Sequence, residues 1–447
     1  MNIALCHFRV GETDGVSLEM EKWKVILERM GHKVIFLAGS QGSAEAYIIP
    51  ELYYLHEENN KFVRNAYEAL VDFEDEAAFK ADVLAYAHRI EEGLRRFIKQ
   101  YSIDILVPNN IWSLGWGIPA AIAFDNIARE YQIPCIAHHH DFYWERERYA
   151  KPTCDFVKET LDNYFPPKHE LVKHVVINRI ASKEMRKRKG LDTAIVPNVF
   201  DFEAPEWTID EYNEDFKESI GLKDNDILIL QATRIDRRKA IELAIDVVEA
   251  LGKTENREWL QQRKLYDGRN FARDSRIVLV LAGLHEATGN YIEQLKDRAI
   301  QKGVELLFIN DIIRHSRCSV YERKCYSLWD AYVFADLITY PSILEGWGNQ
   351  LLEGLFAKKP MVVYEYPVYE TDIKAKNFQI ISLGKDHTVS NDGLVCIEDD
   401  VIKTAAKDCM GMLTDNQERM GSVEKNFQLS KEYFSYESLE QILSQIF

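Results

Sequence analysis

Short apolar runs alternate with amphipathic segments in the first half of the chain. "NIALCHF", "HKVIFLAG" and "DILVPNN" carry continuous apolar stretches of the length expected for strands buried on both faces. "LEMEKWKVILERMG" places apolar residues at helical spacing and ends at Gly31, a residue that commonly terminates helices. Buried strands separated by helices predict a parallel, doubly wound α/β sheet.

The same alternation starts again in the second half. "DILILQAT", "RIVLVLAG" and "LITYPS" predict strands, and "KAIELAIDVVEALG" predicts one of the helices between them. The join lies near Phe202–Trp207, in an acidic stretch that has no clean period. We therefore assign 1–205 to an N-terminal Rossmann-like domain and 206–432 to a C-terminal one. The remaining segment, 433–447, is a final helix able to pack back on the first domain.

Two stretches, 41–65 and 253–275, interrupt the alternation and resemble insertions of unassigned role. The aromatic run "YIIPELYYL" in the first of them favours buried packing over a site for an apolar acceptor. Two Rossmann-like domains facing a central cleft should carry their chemistry in strand-to-helix loops, because open α/β sheets bind ligands at the carboxyl ends of their strands.

"EGWGNQLLE" is such a loop, with a helix predicted to begin near Gly348–Asn349. Glu345 precedes that helix and Glu353 lies about one turn inside it. Free N–H groups at a helix start suit phosphate or a sugar hydroxyl, glycines allow close approach, and carboxylates accept hydrogen bonds from hydroxyl pairs. The alternative is a capping acid and a surface glutamate, and the two glycines favour a ligand site.

"QATRIDRRKAIE" is the second candidate loop. Arg234 and Lys239 flank a turn that holds two further arginines, so the stretch is strongly positive within a chain of net charge -17. Charge-assisted hydrogen bonds to phosphate oxygens would explain this choice of residues. The alternative is a solvated basic turn that forms an ion pair with Asp236 or Glu242, and the position after a strand favours the anion site.

"AHHHDFYWERERY" ends another strand of the first domain. Strand alternation sends His138 and His140 to one face and His139 to the other. Consecutive histidines on a strand rarely converge on one metal ion, so a hydrogen-bonding role in a polar cleft is favoured, with Asp141 as orienting partner or loop cap. Arg146 could meet an anionic substrate, or it could belong to a surface ladder of ion pairs with its glutamate neighbours.

"HFRVGETDGVS" follows the first strand and lacks the GxGxxG fingerprint of dinucleotide-binding proteins. Gly15 and the N–H groups of Val16 and Ser17 could cradle a substrate. An ordinary turn in which Asp14 caps the helix explains the same residues, and the two interpretations remain open.

The composition limits the partners and the compartment that we expect for this protein. The charge of -17 argues against recruitment of nucleic acid by the global field. No apolar run reaches membrane-helix length, "MNIALCHF" predicts a strand rather than a signal peptide, and the seven cysteines form no CxxC pair. We expect a cytoplasmic protein with free thiols. The basic helix "RIASKEMRKRKG" has few apolar anchors, so a solvated face is favoured over contact with a membrane surface.

Together these stretches resemble the retaining glycosyltransferases of family 4, which have the GT-B fold. The family's "PSxxEGFGxxxLEA" stands here as "PSILEGWGNQLLEG", its "GRLxxxKG" as "TRIDRRKA", and its "PNGVD" as "PNVFD". A His-Asp pair closing a first-domain strand matches His140–Asp141. The resemblance covers most of the chain, and the E-x7-E stretch with its flanks is its most specific part. It implies that 1–205 is the acceptor-side domain and 206–432 the nucleotide-sugar-binding domain.

The resemblance implies an enzyme that moves a hexose from a nucleoside-diphosphate sugar to a hydroxyl, sugar or acidic acceptor with retention of configuration. It implies no metal and no cofactor, because the departing diphosphate is neutralised by side chains and itself takes the acceptor's proton. The residues carried over are Glu345 on the sugar hydroxyls, Glu353 on the ribose, Arg234 and Lys239 on the diphosphate, His140 beside the transferred sugar, and Gly15 near acceptor and phosphates. The backbone at Gly346, Trp347, Gly348 and Asn349 helps to hold the donor.

Several positions depart from the family pattern. Thr233 and Ala240 replace glycines that flank the basic motif, "PNVFD" lacks its glycine, and Asn349 replaces an aliphatic residue. Because of these departures, the sequence does not predict which nucleotide sugar is the donor. A nucleotide-sugar epimerase, a sugar phosphorylase and a non-catalytic nucleotide-sugar sensor share the architecture and remain alternatives, and the flanks of E-x7-E favour the transferase.

Overall fold

The computed structural model describes residues 1–12, 14–286 and 289–447. Two compact units emerge, one formed by Met1–Val199 with Tyr436–Phe447 and the other by Phe200–Ser435. The chain therefore changes unit directly after Val199 and returns to the first unit for its last twelve residues.

The first unit is built on a seven-stranded parallel sheet in the order β3-β2-β1-β4-β5-β6-β7. The chain runs outward from β1 in one direction and then from β4 in the other, which is the doubly wound arrangement that the alternating pattern predicts. The strands are β1 (Asn2–Cys6), β2 (Lys33–Ala38), β3 (Tyr47–Ile48), β4 (Ile105–Pro108), β5 (Cys135–His139), β6 (Val172–Val176) and β7 (Ala194–Ile195).

Helices cover both faces of this sheet. Two apolar clusters, one on each face, hold most of the buried side chains, and Trp23 and Trp112 are almost fully buried in them. The helices are α1 (Gly15–Arg29), α2 (Glu57–Tyr67), α3 (Glu76–Tyr101), α4 (Ile118–Tyr131), α5 (Asp155–Tyr164) and α6 (Arg179–Lys189).

The second unit repeats the plan with a six-stranded parallel sheet in the order β10-β9-β8-β14-β15-β16. A small sheet and a hairpin lie outside it. The strands are β8 (Ile227–Gln231), β9 (Ile277–Leu281), β10 (Glu305–Phe308), β11 (Ile313–Arg314), β12 (Cys318–Val320), β13 (Arg323–Ser327), β14 (Leu337–Tyr340), β15 (Met361–Val363), β16 (Ile381–Ser382), β17 (Thr388–Val389) and β18 (Val395–Cys396).

Helices again flank the sheet, and the central strands β8, β9 and β14 are buried along their whole length. A mostly parallel sheet covered on both faces explains why these strands are continuously apolar. The helices are α7 (Phe216–Ser219), α8 (Ile241–Leu251), α9 (Thr254–Gln261), α10 (Tyr291–Lys302), α11 (Leu328–Phe334), α12 (Asn349–Phe356), α13 (Asp399–Thr414) and α14 (Asn416–Phe434).

The final helix, α15 (Tyr436–Leu443), belongs to the first unit. Leu439 and Leu443 are fully buried in the apolar cluster that also contains Trp23 of α1. Among the described residues, no helix combines the length and the apolar character that crossing a membrane requires.

The interrupting stretches have ordered structure. In 41–65 the chain forms β3, a 3-10 helix at Pro50–Leu52 and most of α2. In 253–275 it forms α9 and a loop that is held to the core by Arg269, which pairs with the buried carboxylate of Asp336. The hairpin β12–β13 turns at Tyr321 and Glu322, both with positive φ, and its polar sequence gave no strand signal.

Candidate active site

The loop between β14 and α12 is shaped around Gly348. Its φ of 117° lies in the left-handed region, and a Cβ there would stand 2.6 Å from the hydroxyl of Tyr366 and 2.7 Å from that of Tyr340. Only glycine fits such a position without displacing neighbours. The hydroxyl of Tyr366 also donates to the carbonyl oxygen of Trp347 at 2.6 Å, which fixes the loop just before α12 begins at Asn349.

Glu345 is the charged centre of this loop. Its side chain is only 8% exposed, and its two carboxylate oxygens contact Lys239 and Arg238, the latter at 2.9 Å. Burial alone would raise the pKa of Glu345, but the charges of Lys239 and Arg238 outweigh it and hold the pKa below its ordinary value. Glu345 is therefore an ionised carboxylate in a buried setting.

Buried hydroxyls surround the same carboxylate. Tyr340 and Ser342 lie beside Glu345, and within the described ranges neither hydroxyl makes a hydrogen bond of normal geometry. Unsatisfied buried hydroxyls are uncommon and call for a reason such as ligand binding. Glu345, the polar group beside both hydroxyls, is their available partner.

The basic loop after β8 is joined directly to the Glu345 loop. A 3-10 helix spans Arg237–Lys239, and the carbonyl of Arg238 accepts a hydrogen bond from the N–H of Ile343 at 2.9 Å. Burial lowers the pKa of Lys239, while Glu345 acts against that shift. The structure therefore brings together Lys239 and Glu345, as the sequence suggested for one site.

Arg234 takes a different partner. Its Nη1 donates to both carboxylate oxygens of Glu286 at 2.8 Å, and its side chain is 40% exposed. The cation that stands beside Lys239 on Glu345 is Arg238, which the sequence motif left between the two predicted cations. The anion site predicted on Arg234 and Lys239 stays a prediction, and the structure adds Arg238 as a further cation beside Lys239.

Glu353 lies inside α12, as predicted. One of its oxygens accepts a hydrogen bond of 2.9 Å from the hydroxyl of Tyr332, a fully buried side chain of α11. The ribose-binding role of Glu353 stays a prediction.

In the first unit, the histidines end β5 as the strand alternation predicts. The rings of His138 and His140 share a face with centroids 4.1 Å apart, whereas His139 turns to the other side. There it contacts the hydroxyl of Ser113 at 2.6 Å and the ring of His174 at 3.1 Å. Across the described stretches of the chain, no three potential ligand side chains are grouped for a metal ion.

Two asparagines orient His140. Asn110 accepts from the N–H of His140 at 2.8 Å, and the amide oxygen of Asn109 lies 3.4 Å from Nε2. The expectation that Asp141 orients this histidine is corrected, because Asp141 instead accepts from Arg146 at 2.5 Å and from Asn110 at 3.4 Å. Asn109 and Asn110, in "VPNN", belong to no sequence motif, so the sequence did not predict their contacts with His140.

His7 is a further residue that the sequence did not single out. Its Nδ1 lies 2.7 Å from the carbonyl oxygen of Asn109, so Nδ1 carries the proton and Nε2 keeps a lone pair. Burial lowers the pKa of His7, and burial together with His7 lowers the pKa of His140 to about 3. The buried histidines and asparagines at this end of the sheet therefore form a neutral cluster.

The start of α1 shows what the N–H groups that follow Gly15 bind. Gly15 is the first residue of α1, and the N–H groups of Val16 and Ser17 donate to the carboxylate of Asp14 at 3.1 and 3.2 Å. The turn-and-cap interpretation therefore describes these two N–H groups, and a cradle formed by them is wrong. A role for Gly15 itself stays a prediction.

The sequence is similar to those of known glycosyltransferases. Residues 213–381 match the family described as glycosyl transferases group 1. Over 93% of this chain and 94% of the relative, the sequence is 42% identical to mannosylglucosylglycerate synthase of Petrotoga mobilis. It is 39% identical to the protein of that name from Thermotoga maritima, over 99% of each chain.

The architecture is shared with solved structures of low sequence identity. A glycosyltransferase from Rickettsia africae matches 100% of this chain and 97% of its own with a TM-score of 0.63 at 13% identity. That likeness concerns the fold and confirms the predicted GT-B architecture of two Rossmann-like domains. On sequence and fold together, the chain belongs to the glycosyl transferases group 1 family and is a GT-B glycosyltransferase.

Proposed function

We propose that this glycosyltransferase moves a mannosyl group from a nucleoside-diphosphate mannose to glucosylglycerate, with retention of configuration and without a metal ion. The relatives that span nearly the whole chain are called mannosylglucosylglycerate synthases, and that product contains a mannosyl unit joined to a glucosylglycerate. The observation that carries the proposal is the ionised, buried Glu345 between Lys239 and Arg238 at the start of α12.

This site suits the donor sugar. Glu345 accepts hydrogen bonds from hydroxyls of the mannosyl ring, and the buried hydroxyls of Tyr340 and Ser342 lie beside its carboxylate. The backbone from Gly346 to Asn349 lines the same loop, and the start of α12 presents N–H groups to oxygen atoms of the ligand. Glu353 is assigned to the ribose.

Cations of the second unit act on the leaving group. During transfer the bond between the anomeric carbon and the donor's phosphate oxygen breaks, so negative charge grows on the nucleoside diphosphate. Lys239, Arg238 and Arg234 stabilise that charge most in the transition state, where each well-placed donor contributes on the order of a few kcal/mol. With this neutralisation supplied by side chains, the reaction needs no metal.

The acceptor is held by the first unit. The new bond forms between the anomeric carbon and a hydroxyl oxygen of the acceptor, and the proton of that hydroxyl passes to the departing diphosphate. His140, kept neutral by its low pKa, offers a hydrogen bond to the transferred sugar without placing a positive charge beside it. Asp141, Arg146 and Gly15 are assigned to the acceptor side.

A donor and acceptor panel tests the proposal. UDP-, GDP- and ADP-linked mannose and glucose are each offered with glucosylglycerate, with and without EDTA, and the product is analysed by mass spectrometry and NMR. We expect one mannosyl donor to give a mannosylated product, unchanged by EDTA, with the anomeric configuration of the donor. A product of inverted configuration would overturn the proposed retention. Loss of turnover in EDTA would overturn the proposed independence of metal, and transfer of glucose alone would overturn the proposed mannosyl donor.

A further inference from the structure

Three loops of the first unit bring a cation and two aromatic rings together. Arg9 follows β1, Tyr54 follows the 3-10 helix after β3, and Trp116 lies between β4 and α4. The rings of Tyr54 and Trp116 lie 4.6 Å apart at 30°, and the guanidinium of Arg9 stands 5.3 Å over the Tyr54 ring. Neither the sequence motifs nor the donor site accounts for this group.

A buried amide ties together the backbones of the two loops that carry these rings. Asn59 is 4% exposed, and its side-chain N–H groups donate to the carbonyl oxygens of Tyr54 and Trp116, each at 2.9 Å. The edge of Phe8 packs against Trp116 with centroids 5.8 Å apart. Both rings remain partly exposed, so they form a rigid aromatic surface at the carboxyl end of the sheet.

Arg9 is held beside this surface with part of its guanidinium unused. Nη1 donates to the hydroxyl of Tyr54 at 3.1 Å, and Nε lies 3.1 Å from Asp14, which the helix cap fixes in place. In the described part of the chain, Nη2 has no hydrogen-bond partner, and the side chain is 30% exposed. An oriented guanidinium with free N–H groups matches the planar geometry of a carboxylate.

We propose that Arg9, Tyr54 and Trp116 form the subsite for the carboxylate end of the acceptor. Arg9 binds the carboxylate of the glyceryl group, and the two rings pack against the carbon skeleton of the acceptor. This inference rests on the proposed function for the presence of an acidic acceptor. A chain of net charge -17 repels an anionic substrate in general, so a dedicated cation has to attract it locally.

Arg146 is the competing cation. Its side chain is 56% exposed and donates to Asp141 at 2.5 Å, just as Arg9 pairs with Asp14 at 3.1 Å. Arg9 has in addition the aromatic surface, which explains how the site would bind the whole acceptor rather than its charge alone. The experiment therefore has to separate the two arginines.

The test compares glucosylglycerate with glucosylglycerol, which replaces the carboxylate by a neutral hydroxymethyl group. At saturating donor, Arg9→Gln should raise the KM for glucosylglycerate about 10- to 100-fold, the effect of losing a charged hydrogen bond. Its KM for glucosylglycerol should stay near that of the unaltered protein. The KM of Arg9→Lys for glucosylglycerate should lie between the values of the unaltered protein and of Arg9→Gln. Trp116→Leu should raise the KM of both acceptors.

Arg89→Gln is the matched control. Arg89 also pairs with an acid, Glu58 at 2.7 Å, and stands 4.5 Å over the ring of Tyr86, but it lies on the surface of α3. The Arg89→Gln variant should leave the KM values for glucosylglycerate and glucosylglycerol unchanged. Arg146→Gln is measured in parallel.

Each other outcome contradicts the inference. The assignment to Arg9 would be overturned if Arg9→Gln raised the KM of both acceptors equally or raised neither. It would also be overturned if Arg146→Gln, and not Arg9→Gln, raised the KM for glucosylglycerate alone. If Arg9→Gln unfolds, as judged by its melting temperature, Arg9→Lys decides by the same ratio of KM values. A wild-type enzyme that transfers to neither acceptor with any donor would refute the proposed function, and the inference would fall with it.

Discussion

At the end of β14 the second unit places an ionised carboxylate between two cations, whereas at the end of β5 the first unit places histidines among asparagines. Glu345 keeps its charge because Lys239 and Arg238 outweigh the effect of burial. His138 and His140 are neutral because burial, reinforced by other histidines, lowers the pKa of each. The buried group at the end of β14 is thus charged, whereas the buried rings at the end of β5 are neutral.

The difference follows the chemistry proposed for each unit. A leaving diphosphate gains negative charge during the reaction, so preorganised cations stabilise the transition state more than the ground state. A sugar that changes position beside His140 needs hydrogen bonds, and a cation there would oppose the positive charge that develops at the anomeric carbon. The same Rossmann-like architecture therefore supports both environments through its loops alone.

The largest expected effect comes from removing the charge at the centre of the second site. Glu345→Gln should lower kcat about 100-fold or more, because a sugar-binding carboxylate is lost, and should cost roughly 3–5 kcal/mol of stability because Lys239 stays buried without its partner. Steady-state kinetics and urea unfolding measure the two effects. Wild-type turnover in this variant would refute the site.

Two further variants separate activity from folding. Glu305→Gln removes an exposed acid that pairs with Arg276 at 2.7 Å, and should cost less than about 1 kcal/mol. The double variant Glu345→Gln with Lys239→Met removes both buried charges, and should recover stability without recovering transfer. Recovered transfer in the double variant would assign Glu345 a structural role only.

The neutral histidines predict a loss of stability in acid. His138 and His139 are 2% and 1% exposed, and burial lowers the pKa of both well below the ordinary value. The unfolded chain binds their protons below about pH 6.5, and the folded state does not, so stability falls as pH drops through that range. Between pH 7 and pH 5 we expect a loss of about 2 kcal/mol per histidine.

Urea unfolding at pH 7, 6 and 5 measures this loss, followed through tryptophan fluorescence. His138→Asn should reduce the slope of stability against pH, whereas substitution of the exposed His88 on α3 should leave it unchanged. A flat profile between pH 7 and pH 5 would show that the first site is not a neutral cluster, and the contrast between the units would disappear.

The sequence predicted the fold, and it predicted the local structure around Glu345 better than the contacts around His140. Continuous apolar strands and the glycines of "EGWGNQLLE" are local signals, so β14, α12 and Glu345 followed from them directly. The partners of those residues depend on distant strands coming together, as Arg238, Tyr340 and Asn109 illustrate. The polar hairpin β12–β13 was missed because its turn, at Tyr321 and Glu322, lacks the glycine or asparagine typical of such turns.

A smaller effect is expected at the edge of the charged site. Arg234 is paired with Glu286, so Glu286→Gln should free it for the diphosphate and lower the KM for the donor by up to about fivefold, the range of an exposed ion pair. Arg234→Gln should raise the same KM. Glu293→Gln, which removes a partner of Lys296 on α10, is the control and should change nothing. A higher KM in Glu286→Gln would instead make Glu286 a residue that positions Arg234.

The smallest expected effect lies in the backbone that joins Lys239 to α8. Ala240 has φ 45° and ψ 47°, the left-handed conformation, where the family pattern has glycine. Ala240→Gly should remove a strain of about 1–2 kcal/mol and lose part of that gain to chain entropy, leaving a net stabilisation of roughly 0.5 kcal/mol. Ala244→Gly, inside the same helix, should destabilise by about 1 kcal/mol. Because Lys239 immediately precedes Ala240, a stabilised Ala240→Gly that also loses transfer activity would show that this strain helps to hold Lys239 against Glu345, whereas unchanged transfer would confine it to folding.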